Sequence, residues 1–463
     1  MLAMGSALLI STYEMGRQPF GLASAAAWLR AGGWRVEAID ASKEKLIDER
    51  LRAADLIGFH LPMHTATRLA GPIVAAARRV NPHARIAAFG LYAPLNEGWL
   101  RSLGVDAVFG GEFEEELTGW ANDAIVVGRP FQGRRGETES LAPHAAALPR
   151  IHFLVPDRST LPPLTKYASL QMPDGTRRTV GYTEASRGCR HLCRHCPVVP
   201  IYEGRFRVVQ REVVLADIDA QVAAGASHIT FGDPDFFNGP THAMRIVDAL
   251  HASHPDVTYD ATIKIEHLLA HRDLVPRLAA TGCAFVTSAV ESIDDRVLAI
   301  FDKGHTREDF VEAVALCRGA GVTLAPTFVA FHPWLTLASY CDLLDTIESL
   351  DLVDHVAPIQ LAVRLLVPDG SLLLTLAEMR PHLRVFDPAT LTYRWTHPDP
   401  RVDALHEEVM AIIGTRLTAN RDAVFDAVSA LAHDRARVPR AGRRSKPARD
   451  RATVPYLNEP WYC

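Results

Sequence analysis

Three cysteines fall within eight residues, in the run Arg187-Gly188-Cys189-Arg190-His191-Leu192-Cys193-Arg194-His195-Cys196-Pro197. The other four of the seven, Cys283, Cys317, Cys341 and Cys463, are scattered. Seven cysteines in 463 residues are too few for a disulfide scaffold, so a cluster of this kind points to a metal. Thiolates in a C-x3-C-x2-C loop can hold three irons of a cubane and leave the fourth without a protein ligand, which makes that iron an open reaction site. Zinc is the alternative, with His191 or His195 as fourth ligand. A second ligand pair for it is missing, because 197–230 contains one His, His228, and no Cys.

Chemistry at such a loop requires a scaffold. From Ala7 to about Asp123, β-type apolar runs at 7–12, 34–39, 56–61, 85–91 and 106–110 alternate with helical spacing over 20–31, 65–80, 94–103 and 112–121. That rhythm predicts α/β structure with a parallel, doubly wound sheet, whose ligands sit beyond the carboxyl ends of its strands. Those ends carry Thr12, Tyr13, Glu14, His60, His64, Gly90, Gly110 and Gly111. Residues 124–180 break the pattern with Gly- and Pro-rich segments and a Pro-Asp-Gly turn, which reads as a linker ending in a hairpin. A second βα series then runs through 180–186, 228–233, 257–263, 284–290, 322–331 and 356–363. Six parallel strands suit a partial or full βα barrel, whose active face is the carboxyl end. The cysteine loop follows the first of these strands.

The expected domains are 1–125, a doubly wound sheet; 126–180, linker and hairpin; 181–385, the barrel; 386–435, a helical extension; and 436–463, a basic linker and tail. The run VPRAGRRSKPARDR reads as a solvated linker, whereas VPYLNEPWYC is apolar enough to dock on the body of the protein. A net charge of −5 gives no global field for nucleic acid or anionic lipid. The N-terminal apolar run is too short for a signal peptide or membrane span, so a cytoplasmic protein without membrane partners is expected.

On the cysteine motif the chain resembles the radical S-adenosylmethionine (SAM) superfamily. That resemblance implies a 4Fe-4S cluster on Cys189, Cys193 and Cys196, with SAM chelated to the open iron and its sulfur–carbon bond cleaved by one electron. It makes His195 a group packing near the adenine. Gly232-Asp233-Pro234-Asp235 matches the segment that meets the SAM amino group, and Ser288 to Ser292 matches a Glu-Ser segment in which Glu291 accepts from the ribose. Phe331-His332-Pro333-Trp334 stands where a Gly-x-Pro is common, and Pro368 to Leu372 resembles a segment closing the barrel.

The N-terminal part resembles the cobalamin-binding domain found ahead of many radical SAM barrels. The cobalt-ligating Asp-x-His-x-x-Gly reads here Ser11-Thr12-Tyr13-Glu14-Met15-Gly16, without His, so cobalamin bound without a His ligand and a substrate-recognition role both stay open. The end of the chain is similar to a subfamily with a Cys or selenocysteine tail. On that resemblance the reading frame is expected to continue past Cys463 through a recoded selenocysteine codon, and Cys463 becomes a catalytic thiol suited to a soft element.

The function expected is reductive SAM cleavage that modifies a small-molecule or soft-element substrate such as arsenic, supplied with electrons by a flavodoxin or ferredoxin. Two rivals are an RNA-modifying radical SAM enzyme and a non-catalytic zinc- or cobalamin-binding regulatory module. The first is disfavoured because no Cys precedes Cys189 to hold a second cluster.

Overall fold

The computed structural model describes residues 5–127, 148–415, 420–440 and 453–458. Cys463 and most of the basic run lie outside these residues.

The first unit is a five-stranded, all-parallel sheet of β1 (Ser6–Ser11), β2 (Arg35–Asp40), β3 (Leu56–His60), β4 (Arg85–Phe89) and β5 (Ala107–Phe109), in the order β2-β1-β3-β4-β5. Successive strand residues face opposite sides. Leu8, Ile10, Ile57 and Ile86 accordingly pack with α3 (His64–Val80), beside the short α2 (Asp48–Arg52) and α4 (Glu97–Ser102). Leu9, Ala38 and Ala87 pack instead with α1 (Phe20–Ala31) and α5 (Glu114–Val127). The order reverses between β1 and β3, and at such a switch point the loops diverge to leave a crevice.

The second unit is a seven-stranded half-barrel. Strands β6 (Ser169–Gln171) and β7 (Arg177–Thr183) form the hairpin expected at the Pro-Asp-Gly turn. The short antiparallel pair β8 (Ser186–Gly188) and β9 (Phe206–Val208) brackets the cysteine loop and leads through α6 (Val199–Tyr202). Parallel strands β10 (His228–Phe231), β11 (Thr258–Thr262), β12 (Cys283–Glu291) and β13 (Thr323–Phe328) continue the sheet from β7. Their outer face is covered by α7 (Arg211–Ala223), α8 (Pro240–Ser253), α9 (Ile265–Ala270), α10 (Val275–Ala280), α11 (Asp295–Phe301), α12 (Arg307–Gly319) and α13 (Leu337–Ser349).

The sixth strand expected at 356–363 is absent. Pro358, which has no N–H for a ladder, opens a 3-10 turn over Pro358–Leu361, and the Gln360 side chain accepts the Phe328 N–H at 3.0 Å where a neighbouring strand would have done so. Only a single bridge, Phe331 with Arg364, remains. The barrel is therefore partial, with an open side.

An antiparallel hairpin, β14 (Leu383–Asp387) and β15 (Thr392–Trp395), precedes the helical extension, α14 (Pro400–Thr415) and α15 (Arg421–Ala436). The described part of the apolar tail docks as expected: β16 (Tyr456–Asn458) pairs antiparallel with β6 at the sheet edge. No described helix is long and apolar enough to cross a membrane.

Candidate active site

The cysteine loop begins where β8 ends, at the carboxyl end of the half-barrel. Gly188 has φ +76°, and a Cβ there would lie 2.2 Å from the Tyr202 ring, so only glycine allows the chain to turn against α6. Three anchors then fix the loop. Asn238 donates to Gly188 O at 3.3 Å and accepts from the Arg190 N–H at 3.2 Å. The Arg194 N–H donates to Phe301 O at 2.9 Å. Ser371, in the segment expected to close the barrel, donates to Arg194 O at 3.3 Å.

Cys189 and Cys193 are buried and Cys196 partly so, with Cys189 and Cys196 packed against Leu148, Val198 and Tyr202. Burial pushes the Cys196 thiol up to about 12, with the neighbouring Cys193 and Cys189 raising it further, and Cys189 is raised by burial too. With their pKa values raised, the Cys189 and Cys196 thiols favour the protonated form alone and become ligands when a cation compensates the charge of the thiolates. The donor set thus fits an iron–sulfur cluster. A second group of metal-competent atoms, on Cys189, His191 and Asp235, lies within 4.8 Å of one another.

In the acidic segment after β10, Asp233 accepts from the Ala185 N–H at 2.9 Å and from the Ser186 hydroxyl at 2.6 Å, so this carboxyl ties the approach to the cysteine loop to the end of β10. Burial pushes it up to about 7. Gly232 beside it donates to Thr183 O at 2.8 Å. Asp235 caps the following turn at Phe237 N (3.1 Å) and lies 2.6 Å from His267 Nδ1, while His191 Nε2 approaches His267 Nε2 at 3.2 Å. His267 carries no local signal and is brought in by α9.

At the end of β12, Glu291 holds His195 Nε2 at 3.0 Å and Lys303 Nζ at 3.6 Å. The His195 ring also packs, tilted by 41°, against the Phe301 ring at 4.6 Å, so the residue expected beside the adenine is engaged by protein on two sides. Glu291 has φ +67°, a conformation disfavoured for a side-chain-bearing residue, held here by those two partners. Ser288 is fully buried and its hydroxyl has no partner among the described residues. The same holds for His332 Nδ1 and Trp334 Nε1, whose rings pack on Phe301 at 6.2 and 6.0 Å.

Burial alone would raise the Glu291 carboxyl, but Lys303 and His195 outweigh it and hold the group at about 2 against an ordinary 4.5. A depressed carboxyl contributes stability above its unfolded value that is lost as pH falls through the folded one. The unfolding free energy should therefore decline between about pH 4.5 and pH 2 by on the order of 3 kcal/mol more in the wild type than in Glu291→Gln. Urea melts across that range test it, and parallel pH profiles would refute it.

Arg187, two positions before Cys189, is the main electrostatic link between the two units. Its guanidinium meets Glu112 at 3.2 Å, Glu114 at 2.6 Å and Glu184 at 2.7 Å, all in the interior. Tyr202 donates to Glu112 at 3.1 Å and Ser24 to Glu114 at 2.7 Å. Glu112 and Glu114 sit beyond β5, so the first sheet presents its carboxyl end to the cysteine loop.

A cavity of about 190 Å³ lies at that junction, lined among others by Met15, His60, Met63, Leu91, Tyr182 and Gly232. His60 is 4% exposed and its Nδ1 lies 3.5 Å from Glu14 Oε2. Its Nε2 packs so closely on α1 that a Cβ at Gly21 would come within 2.3 Å. Burial drives this imidazole down to about 3, so it is neutral.

The radical SAM superfamily model matches residues 183–348. Residues 183–348 are a radical SAM domain. Among curated proteins, the tRNA-2-methylthio-N(6)-dimethylallyladenosine synthase of Desulfosudis oleivorans is 30% identical over 192 residues, covering 39% of this chain and 40% of that protein. The chain thus spans about two fifths of that relative's length. Among solved structures, the cobalamin-dependent radical SAM enzyme OxsB, with aqua-cobalamin and SAM bound, superposes with a TM-score of 0.71 at 14% identity, covering 94% of this chain and 72% of that one. The radical SAM methyltransferase TsrM of Kitasatospora setae, with tryptophan and a SAM analogue, gives 0.63 at 16% identity over 88% of each chain. These superpositions establish a shared fold of both units around the radical SAM domain.

Proposed function

We propose that the chain is a radical SAM enzyme that modifies a small molecule, with Cys189, Cys193 and Cys196 holding a 4Fe-4S cluster. The observation that carries this reading is the gathering of three thiols in one pinned loop at the carboxyl end of the half-barrel. A cluster on three thiolates supplies an iron free to bind the amino and carboxylate groups of SAM and an electron for its sulfur–carbon bond. The protein's part is to position. Asp233 and Asn238 hold the loop, the apolar shell of Leu148, Val198 and Tyr202 excludes water from the sulfurs, and Glu291 fixes His195 beside the third cysteine.

We further infer that the cavity between the units is part of a cobalamin site, because OxsB and TsrM, whose fold the chain shares, hold cobalamin, and that this chain gives the cobalt no histidine. No His follows β1 directly, and the neutral His60 ring is packed closely on Gly21 of α1, with its Nδ1 3.5 Å from Glu14. Electron paramagnetic resonance of the Co(II) form should lack histidine nitrogen splitting. Splitting that disappears in His60→Ala would overturn the ligand assignment, and failure to take up cobalamin would leave the first unit with substrate recognition.

A second reading, tRNA modification, is favoured by the match to the methylthio-adenosine synthase. Against it stand the net charge of −5 and the lack of any Cys before Cys189. Anaerobic reaction of reconstituted enzyme with SAM, reductant and either total tRNA or a small-metabolite extract separates the two. Label from SAM is expected in small molecules, and label in tRNA would reverse the assignment.

A further inference from the structure

The lumen of the half-barrel contains a cavity of about 280 Å³ that none of the groups assigned above explains. Its wall is built from alternate residues of adjacent strands, which face the same side. Thr262 of β11, Thr287 of β12 and Thr327 of β13 line it, and their hydroxyls form no hydrogen bond among the described residues. The acid in the lining, Asp260, is already engaged by His228 Nε2 at 2.8 Å and by the Thr230 hydroxyl at 2.6 Å.

The open side left by the missing sixth strand is closed by the C-terminal segment. Val454 to Leu457 complete the lining, and Tyr456 lays its ring 4.5 Å from the guanidinium of Arg421, which also faces the cavity. Arg421 donates to the Asp354 main-chain carbonyl and forms no ion pair within 4 Å among the described residues, while the Asp354 carboxylate, which accepts from Thr453, acts on it from farther off. A partly buried guanidinium that contacts a carbonyl and an aromatic face, with its nearest carboxylate out of ion-pair contact, retains N–H donors that favour a planar or tetrahedral oxyanion. Met15, Arg17 and Gly232 line both this cavity and the one between the units, so the lumen opens toward the cysteine loop.

We propose that the lumen is the substrate pocket, and that it takes a small molecule bearing an oxyanion group that pairs with Arg421 while its remaining polar atoms bond the threonine row. The assignment of the bound molecule as substrate rests on the radical SAM reading; the binding itself does not.

The test uses the reconstituted full chain and two probes, inorganic phosphate for a tetrahedral group and acetate for a planar one. Their affinities are measured by ligand-observed nuclear magnetic resonance, beside SAM cleavage without added substrate. At least one probe should bind the wild type, with affinity lowered about tenfold or more in Arg421→Gln, as expected for loss of a charged hydrogen bond, and by less in Arg421→Lys and Thr287→Val. Iron content and unprompted SAM cleavage should persist in all three variants. The stronger probe identifies the oxyanion geometry. If neither probe binds, or if Arg421→Gln and Thr287→Val bind as the wild type does, the pocket assignment is overturned even though SAM is cleaved. If Arg421-dependent binding is seen without SAM cleavage, the pocket stands and the radical SAM reading fails.

Discussion

Alanine at Cys189, Cys193 and Cys196 together should give a chain that folds, holds no iron and cleaves no SAM. The thiols are small groups in an apolar shell, so removing each sulfur costs about 1 kcal/mol of packing. The loop they occupy is held by bonds that involve no sulfur, namely Asn238 to Gly188 and Arg190, and Arg194 to Phe301. The loss of chemistry is nevertheless complete, because the metal-competent groups that remain beside the loop, His191 and Asp235, supply no thiolate to hold an iron–sulfur cluster. Circular dichroism, iron analysis and chromatographic measurement of SAM consumption check the three parts. Unchanged iron content in the triple variant would refute the cluster assignment.

Replacing Arg187 with methionine should be the most destabilising single change in the molecule. The guanidinium is 7% exposed and serves three carboxylates, of which Glu112 and Glu114 come from the first unit and Glu184 from the second. Removing one partner of a buried ionic cluster leaves uncompensated charge, at a cost of about 3–5 kcal/mol. The effect on docking of the two units should exceed the effect on either alone, so limited proteolysis between them should accelerate. Glu112→Gln provides the contrast. Burial pushes the Glu112 carboxyl up to about 7, so near neutral pH it is already partly protonated, and the amide should cost no more than about 1 kcal/mol. Equal urea midpoints for Arg187→Met and the wild type would show that the network contributes nothing.

What was legible in the sequence was what is encoded locally. The cysteine spacing is a single loop, and the five strands and main helices of the first sheet each announce themselves within a window of a few residues. The Pro-Asp-Gly hairpin did likewise. The stretch 356–363 misled because its apolar run has strand character, whereas Pro358 and the side chain of Gln360 replace the ladder it would have made. Long-range pairings were not readable. Nothing near Arg187 indicates Glu112, and nothing near Asp235 indicates His267, since each pair is joined only by the packing of separate elements. The radical SAM resemblance marks Asp233 and His195 as expected site residues, but which partner each carboxylate or imidazole faces depends on Ser186 and Glu291, and the fold alone decides that.

The most direct test of the central claim is Mössbauer spectroscopy of the wild-type chain, reconstituted anaerobically with isotopically enriched iron, before and after addition of SAM. The expected result is about four irons per chain in one cluster, one of which changes its isomer shift when SAM is added, because three thiolates leave one iron open. A colourless protein that binds zinc stoichiometrically in place of iron, or a cluster whose spectrum is indifferent to SAM, would contradict it.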